Sequence, residues 1–282
     1  MTDWTMVITI IGSFGAALSA QMAANFFTNR REDKKYDKEC FQNLYSPLLF
    51  RFIEYVYCED YKAQEIASGR FNEEEFEKNS SNPEPVFKEI MEYMEENLKY
   101  AHPEIIMEYE LIKISDGIPL ILRNSSKLEG RIGFCREFFL KYMKLSKKLN
   151  VLSKTVENRV RTPLFFSYFY FLLNECKFWS LAKVSIGTLY LLEKVLLKED
   201  SNDLLDRIIA IQQEIVYVKE KRVDLDQHRY EEAFTDAYHF INEIIDKCSA
   251  VDNNAEKIAK HWRDILEKEL EYEKFPERIL PI

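Results

Sequence analysis

Between Trp4 and Asn29 the chain carries no charged residue, and Arg30, Arg31, Glu32, Asp33, Lys34 and Lys35 follow at once. About 20 apolar residues suffice to cross a bilayer as a helix, and this stretch would be roughly 35 Å long at the helical rise of about 1.5 Å per residue. Its acidic flank at Asp3 departs from the basic start of a cleaved leader. A terminal helix of a globular body would rarely lack charge on every face. The sequence therefore predicts an all-α chain: a short external N-terminus at 1–3, a transmembrane helix at 4–28, juxtamembrane helices at 29–68, a linker at 69–85 and a cytosolic helical domain at 86–282. Lys and Arg beside a span stay cytoplasmic. The expected location is thus the cell membrane, single-pass, with the N-terminus outside and the C-terminal domain cytoplasmic.

The expected span has a patterned interior. Gly12, Ala16, Ala20 and Ala24 recur every fourth residue, as do Ser13, Ala17, Gln21 and Asn25. Small residues at that spacing let helices approach closely, and Gln or Asn can hydrogen-bond across the contact. This face predicts a homo-oligomer formed through the anchor, with the lipid bilayer as the other partner. Several copies packed together could place Ser13, Gln21 and Asn25 around a wet lumen, the pore alternative.

Beyond the apolar stretch, seven glycines and eight prolines leave long uninterrupted runs with no alternating strand pattern. Helices are expected at Val86 to Tyr100, Pro103 to Ile114, Leu128 to Leu149 and Val151 to Arg161. The later ones are Leu164 to Leu197 with a break near Gly187, Asn202 to Lys221, Leu225 to Lys247 and Ala255 to Glu273. The uncharged run Leu164 to Leu173 fits a core helix, because as a second span it would carry Glu175, Lys177 and Lys183 into the apolar layer. The five cysteines are scattered and form no CxxC, so neither a disulfide framework nor a zinc site is indicated.

A net charge of −9 argues against bulk affinity for nucleic acid. One region is nevertheless basic: Arg123, Lys127, Arg131, Arg136, Lys141, Lys144, Lys147, Lys148, Lys154, Arg159 and Arg161 face only Glu129, Glu137 and Glu157. It could meet anionic lipid, nucleic acid or an acidic protein surface. Alternatively it pairs internally, with Glu73 to Glu77 and Glu92 to Glu96.

No phosphate-cradle, dinucleotide, hydrolase-elbow or zincin motif occurs. Asp236 and His239 make half of a carboxylate-histidine metal element, and no second half appears. No metal and no cofactor are expected. Arg222-Val-Asp-Leu-Asp-Gln-His228 has the Arg-x5-His spacing of the Rx4-6H motif and in this resembles the helical HEPN ribonucleases. The resemblance implies a composite site between paired subunits, with the histidine aiding proton transfer and the arginine holding the scissile phosphate.

The run NFFTNRREDKKYDKECFQNLYSPLLF, Asn25 to Phe50, resembles uncharacterised bacterial and phage-borne single-span membrane proteins linked with abortive infection. That likeness and the missing catalytic motifs together favour a membrane-anchored, non-enzymatic oligomeric sensor or scaffold at the cytoplasmic face, acting in phage defence with a protein partner. The alternative is a membrane-attached HEPN-like ribonuclease or a pore-forming effector.

Overall fold

The computed structural model describes residues 31–117, 127–198, 201–221 and 227–272, and among them no strand occurs. Helical residues 31–40 (α1) pass through a π-helical turn, Phe41–Tyr45, into α2 (Ser46–Ala67). There follow α3 (Glu73–Phe76), α4 (Pro83–Asn97), α5 (Pro103–Gly117), α6 (Lys127–Leu149) and α7 (Lys154–Glu175). The series ends with α8 (Trp179–Ser185), α9 (Leu189–Lys198), α10 (Ser201–Glu220), α11 (Gln227–Ser249) and α12 (Asn253–Tyr272).

Helix starts obey local chemistry. Asn72, Asn82 and Ser153 each cap a helix by accepting a backbone N–H two or three residues on, and Pro83 occupies the first helical position of α4. Asp252 does the same for α12, accepting from Asn254 at 3.0 Å and Ala255 at 2.9 Å. Residues 69–85, read from the sequence as a linker, contain α3, whose Phe76 is buried.

One continuous apolar core joins the elements. Helix α2 packs on α4, α6 and α7, α5 on α6, α7 on α10, and α12 on both α11 and α8. At the α2–α6 contact Phe52 stacks on Phe138 with ring centroids 3.9 Å apart, and Phe134 meets Phe52 edge-on at 5.1 Å. The run Leu164 to Leu173 is a core helix segment: Phe165, Phe169, Leu172 and Leu173 are fully buried.

The described helices depart from the membrane-spanning architecture expected of the sequence. Among the described residues no helix is long and apolar enough to cross a membrane. The most aromatic helix, α7, is covered by protein along its aromatic run and carries Arg161 about two turns from its start and Glu175 at its end. A single-pass location in the cell membrane, a lipid-bilayer partner and a homo-oligomer built through an anchor therefore have no element here to carry them. Nor do the described residues supply an anchor for the membrane-anchored sensor or scaffold in phage defence, the membrane-attached ribonuclease or the pore former. The segment 4–28, with Gly12, Ser13, Ala16, Ala17, Ala20, Gln21, Ala24 and Asn25, lies outside the described residues.

Two chain breaks differ from expectation. Helix α7 runs through Pro163 where a boundary was expected; proline has no N–H to donate, but Leu164, Phe165 and Phe166 just beyond it are buried and hold the helix on course. The stretch Leu164 to Leu197 breaks at Lys177 as well as at Gly187. Lys177 adopts φ +61°, and the Phe178 N–H reaches back to the Leu173 carbonyl at 2.8 Å, closing α7 without a glycine.

Candidate functional site: a cationic groove

A groove of about 1180 Å³ is built from five separated parts of the chain. The last turns of α2 supply Glu59, Lys62, Ala63 and Ile66, and the α8–α9 region supplies Lys183, Val184 and Ile186. The first turns of α12 add Lys257, Ile258, His261 and Trp262, while α4 and α6 bring Glu84, Lys127, Leu128 and Arg131.

A buried carboxylate fixes the junction of the first two parts. Asp60 of α2 accepts the Leu189 N–H at 2.8 Å and the Gln64 side-chain amide at 2.8 Å, so it caps α9 across more than a hundred residues. Burial raises its pKa, and hydrogen bonds from the Leu189 and Gly187 amides act against that rise. Gly187 lies at φ +98°, with Gln64 N only 3.3 Å from where a Cβ would stand. The turn can sit this close to α2 because that residue has no side chain.

The groove joins an apolar floor to a cationic wall. Ala63, Ile66, Val184, Ile186, Ile258 and Trp262 form the floor. Lys62, Lys183 and Lys257 stand around it, and none of the three has a carboxylate within ion-pairing distance among the described residues. Both acids on the wall are already engaged. Glu59 accepts the Tyr55 hydroxyl at 2.7 Å and has its pKa raised by burial. Glu84 receives two parallel hydrogen bonds from the Arg131 guanidinium, at 2.9 and 3.0 Å, and a third from Lys127 at 3.0 Å. Burial alone would raise the pKa of Glu84, but Arg131 and then Lys127 hold it below the ordinary carboxylate value.

A second cavity of about 1020 Å³, lined also by Phe71, Phe76 and Phe87, shares Lys62, Glu84, Lys127 and Arg131 with the first. The Glu84–Arg131 pair is thus a partition between two concavities.

The basic region read from the sequence is largely divided among internal partners. Besides Lys127 and Arg131, Lys141 pairs with Glu104 at 3.5 Å, Lys148 with Asp37, Lys154 with Glu157 at 3.8 Å and Arg161 with Glu157 at 2.8 Å. Arg136 bonds Glu137 at 3.1 Å and covers the Phe171 ring at 4.5 Å. Lys144, Lys147 and Arg159 are exposed without an ion pair among the described residues, and Arg123 lies outside them. The acids that do the pairing are Asp37, Glu84, Glu104, Glu137 and Glu157, rather than the acidic runs at Glu73 to Glu77 and Glu92 to Glu96.

The ribonuclease-like pair is not assembled among these residues. His228 is exposed in the first turn of α11, 3.4 Å from Glu232, and Arg222 lies outside the described residues. No group of three or more His, Cys, Asp or Glu side chains among the described residues is placed to hold a metal ion.

One histidine cluster had no counterpart in the sequence reading. The His102 backbone N–H donates to the Tyr45 hydroxyl oxygen at 3.3 Å, and the same hydroxyl is hydrogen-bonded to His102 Nδ1 at 2.8 Å. The other ring nitrogen, Nε2, faces Asp37 at 3.7 Å, and Lys148 pairs with the same carboxylate. None of these residues lines either cavity. The cluster ties α1 and the π turn to the start of α5 and the end of α6. Comparison with family models, with curated proteins and with solved structures returns no match for this chain.

Proposed function

We propose that this chain is a helical binding domain whose groove takes an acidic amphipathic helix of a protein partner. The observation that carries the reading is the apolar floor ringed by Lys62, Lys183 and Lys257, none of which has a carboxylate within ion-pairing distance among the described residues. An apolar groove between helices is the complement of a helix with one apolar face, and flanking charges select the sign of the partner's edges. Size agrees: the volume of about 1180 Å³ lies above the range of roughly 300–1,000 Å³ usual for small-molecule pockets. A helix about 10 Å across would fill it with about ten residues.

The test is a fluorescence-anisotropy titration of the full chain with a labelled synthetic 14-residue helix, leucine on one stripe and glutamate elsewhere, beside a twin in which lysine replaces glutamate. Saturable binding of the acidic peptide is expected, weakened at least tenfold by the combined changes Lys62→Glu, Lys183→Glu and Lys257→Glu. Zero-length cross-linking with carbodiimide should mark these three lysines. No saturable binding, equal binding of the basic twin, or acidic-peptide affinity that survives the triple reversal would overturn the reading.

A further inference from the structure

The pair that separates the two cavities is lopsided. Arg131 is 5% exposed, lies over the Phe87 ring at 4.1 Å, and has a buried Nε with no hydrogen-bond partner. Its partner Glu84 keeps a 46% exposed side chain in the first turn of α4. The cation is therefore a fixed, preformed half, and the anion is the half that solvent and ligands can reach. Arg131 and Lys127 also stand in the first five residues of α6, where the backbone dipole favours an anion over a cation. Two forked N–H groups beside an ammonium match any carboxylate as well as they match that of Glu84.

We propose that Arg131 and Lys127 form the carboxylate-recognition point of the groove, and that Glu84 occupies it as a tethered competitor which an acidic side chain of the partner displaces. This rests on the groove being the binding face. It adds which ligand atom is read, and why an unliganded chain keeps the point neutralised. No bond is made or broken. One carboxylate replaces another on the same donors, and Glu84 turns to water.

The test uses the full chain and two probes. Arg131 side-chain N–H resonances are followed by NMR while glutarate is added, and the acidic peptide is titrated as above. In Glu84→Gln, glutarate should shift the Arg131 Nε–H saturably, at concentrations at least tenfold lower than in the unsubstituted chain, and the peptide should bind at least tenfold more tightly. Absence of a glutarate shift at Arg131 in Glu84→Gln overturns the proposal. So does peptide binding by the unsubstituted chain that Glu84→Gln leaves equal or weaker, an outcome in which the groove reading stands. If neither protein binds peptide while glutarate still shifts Arg131 in Glu84→Gln, the carboxylate point is upheld and the groove reading falls. Should circular dichroism show that Glu84→Gln does not fold, Glu84→Asp decides by the same criteria. It keeps the charge on a side chain one methylene shorter, and about a threefold gain is expected.

Discussion

His102 is the residue whose protonation the fold controls most visibly. Burial lowers its pKa first and Lys141 adds to the effect, while Asp37 and Glu104 pull the other way and lose. An unfolded imidazole titrates near about 6.5, so the folded chain binds this proton less readily than the unfolded one. Its contribution is fully present above about pH 6.5 and is lost as pH falls from there towards the lower folded value. Glu59, Asp60 and Glu108, whose pKa values burial raises, act with the opposite sign: the folded form takes up their protons first. A paired comparison isolates the histidine. Urea unfolding from pH 7.5 to 5.5 should show a smaller loss of stability in His102→Asn than in the unsubstituted chain, and parallel profiles would refute the assignment. At this scale the sequence shows which groups can titrate. It cannot show that Tyr45 and His102, 57 positions apart, are hydrogen-bonded.

Among the elements, helices were legible because capping residues and apolar spacing are local, and their ends were less so. Gly187 announces a break and the structure supplies one, with a positive φ and backbone contact to α2. Lys177 makes an equally sharp end with no such signal, since the cost of a left-handed lysine is met by burying Phe178 and Leu181 behind it. The basic stretch misleads for a related reason. Consecutive charges on α6 and α7 point around both helices, and most meet separate acids, Glu84, Glu104, Asp37 or Glu157, while Lys144, Lys147 and Arg159 have no ion pair among the described residues. The element-scale prediction concerns the α8–α9 turn. Gly187→Ala should destabilise the chain by more than about 1 kcal/mol, because φ is incompatible and the turn must lift from Gln64. Hydrogen exchange at the Leu189 amide, which Asp60 accepts, should accelerate with it. A variant as stable as the parent with that amide still protected would show that the turn has room to spare.

Across the whole molecule, the all-helical class follows from composition and periodicity, whereas the groove does not. Lys62, Glu84, Arg131, Lys183 and Lys257 come from five helices or their junctions, and no spacing rule connects them. A net charge of −9 even points away from a cationic site, because a sum over the chain conceals where the unpaired cations gather. What brings them together is the shared core. Phe52 of α2 stacks on Phe138 of α6 at 3.9 Å, Phe169 of α7 lies 6.3 Å from Trp262 of α12, and the buried residues between them form one continuous cluster. Helices packed on a single core should lose their structure together. Phe138→Ala removes a fully buried ring, so a loss of about 3–5 kcal/mol is expected from the lost transfer energy and the cavity left behind. In urea, far-ultraviolet dichroism and tryptophan fluorescence should shift to the same lower midpoint, since Trp262 lines the groove yet belongs to that core. If the fluorescence transition stayed in place while the dichroism moved, the α2–α6 half and the α12 wall would be separate cooperative units. The groove between them would then be shaped by a contact that can open without unfolding either side.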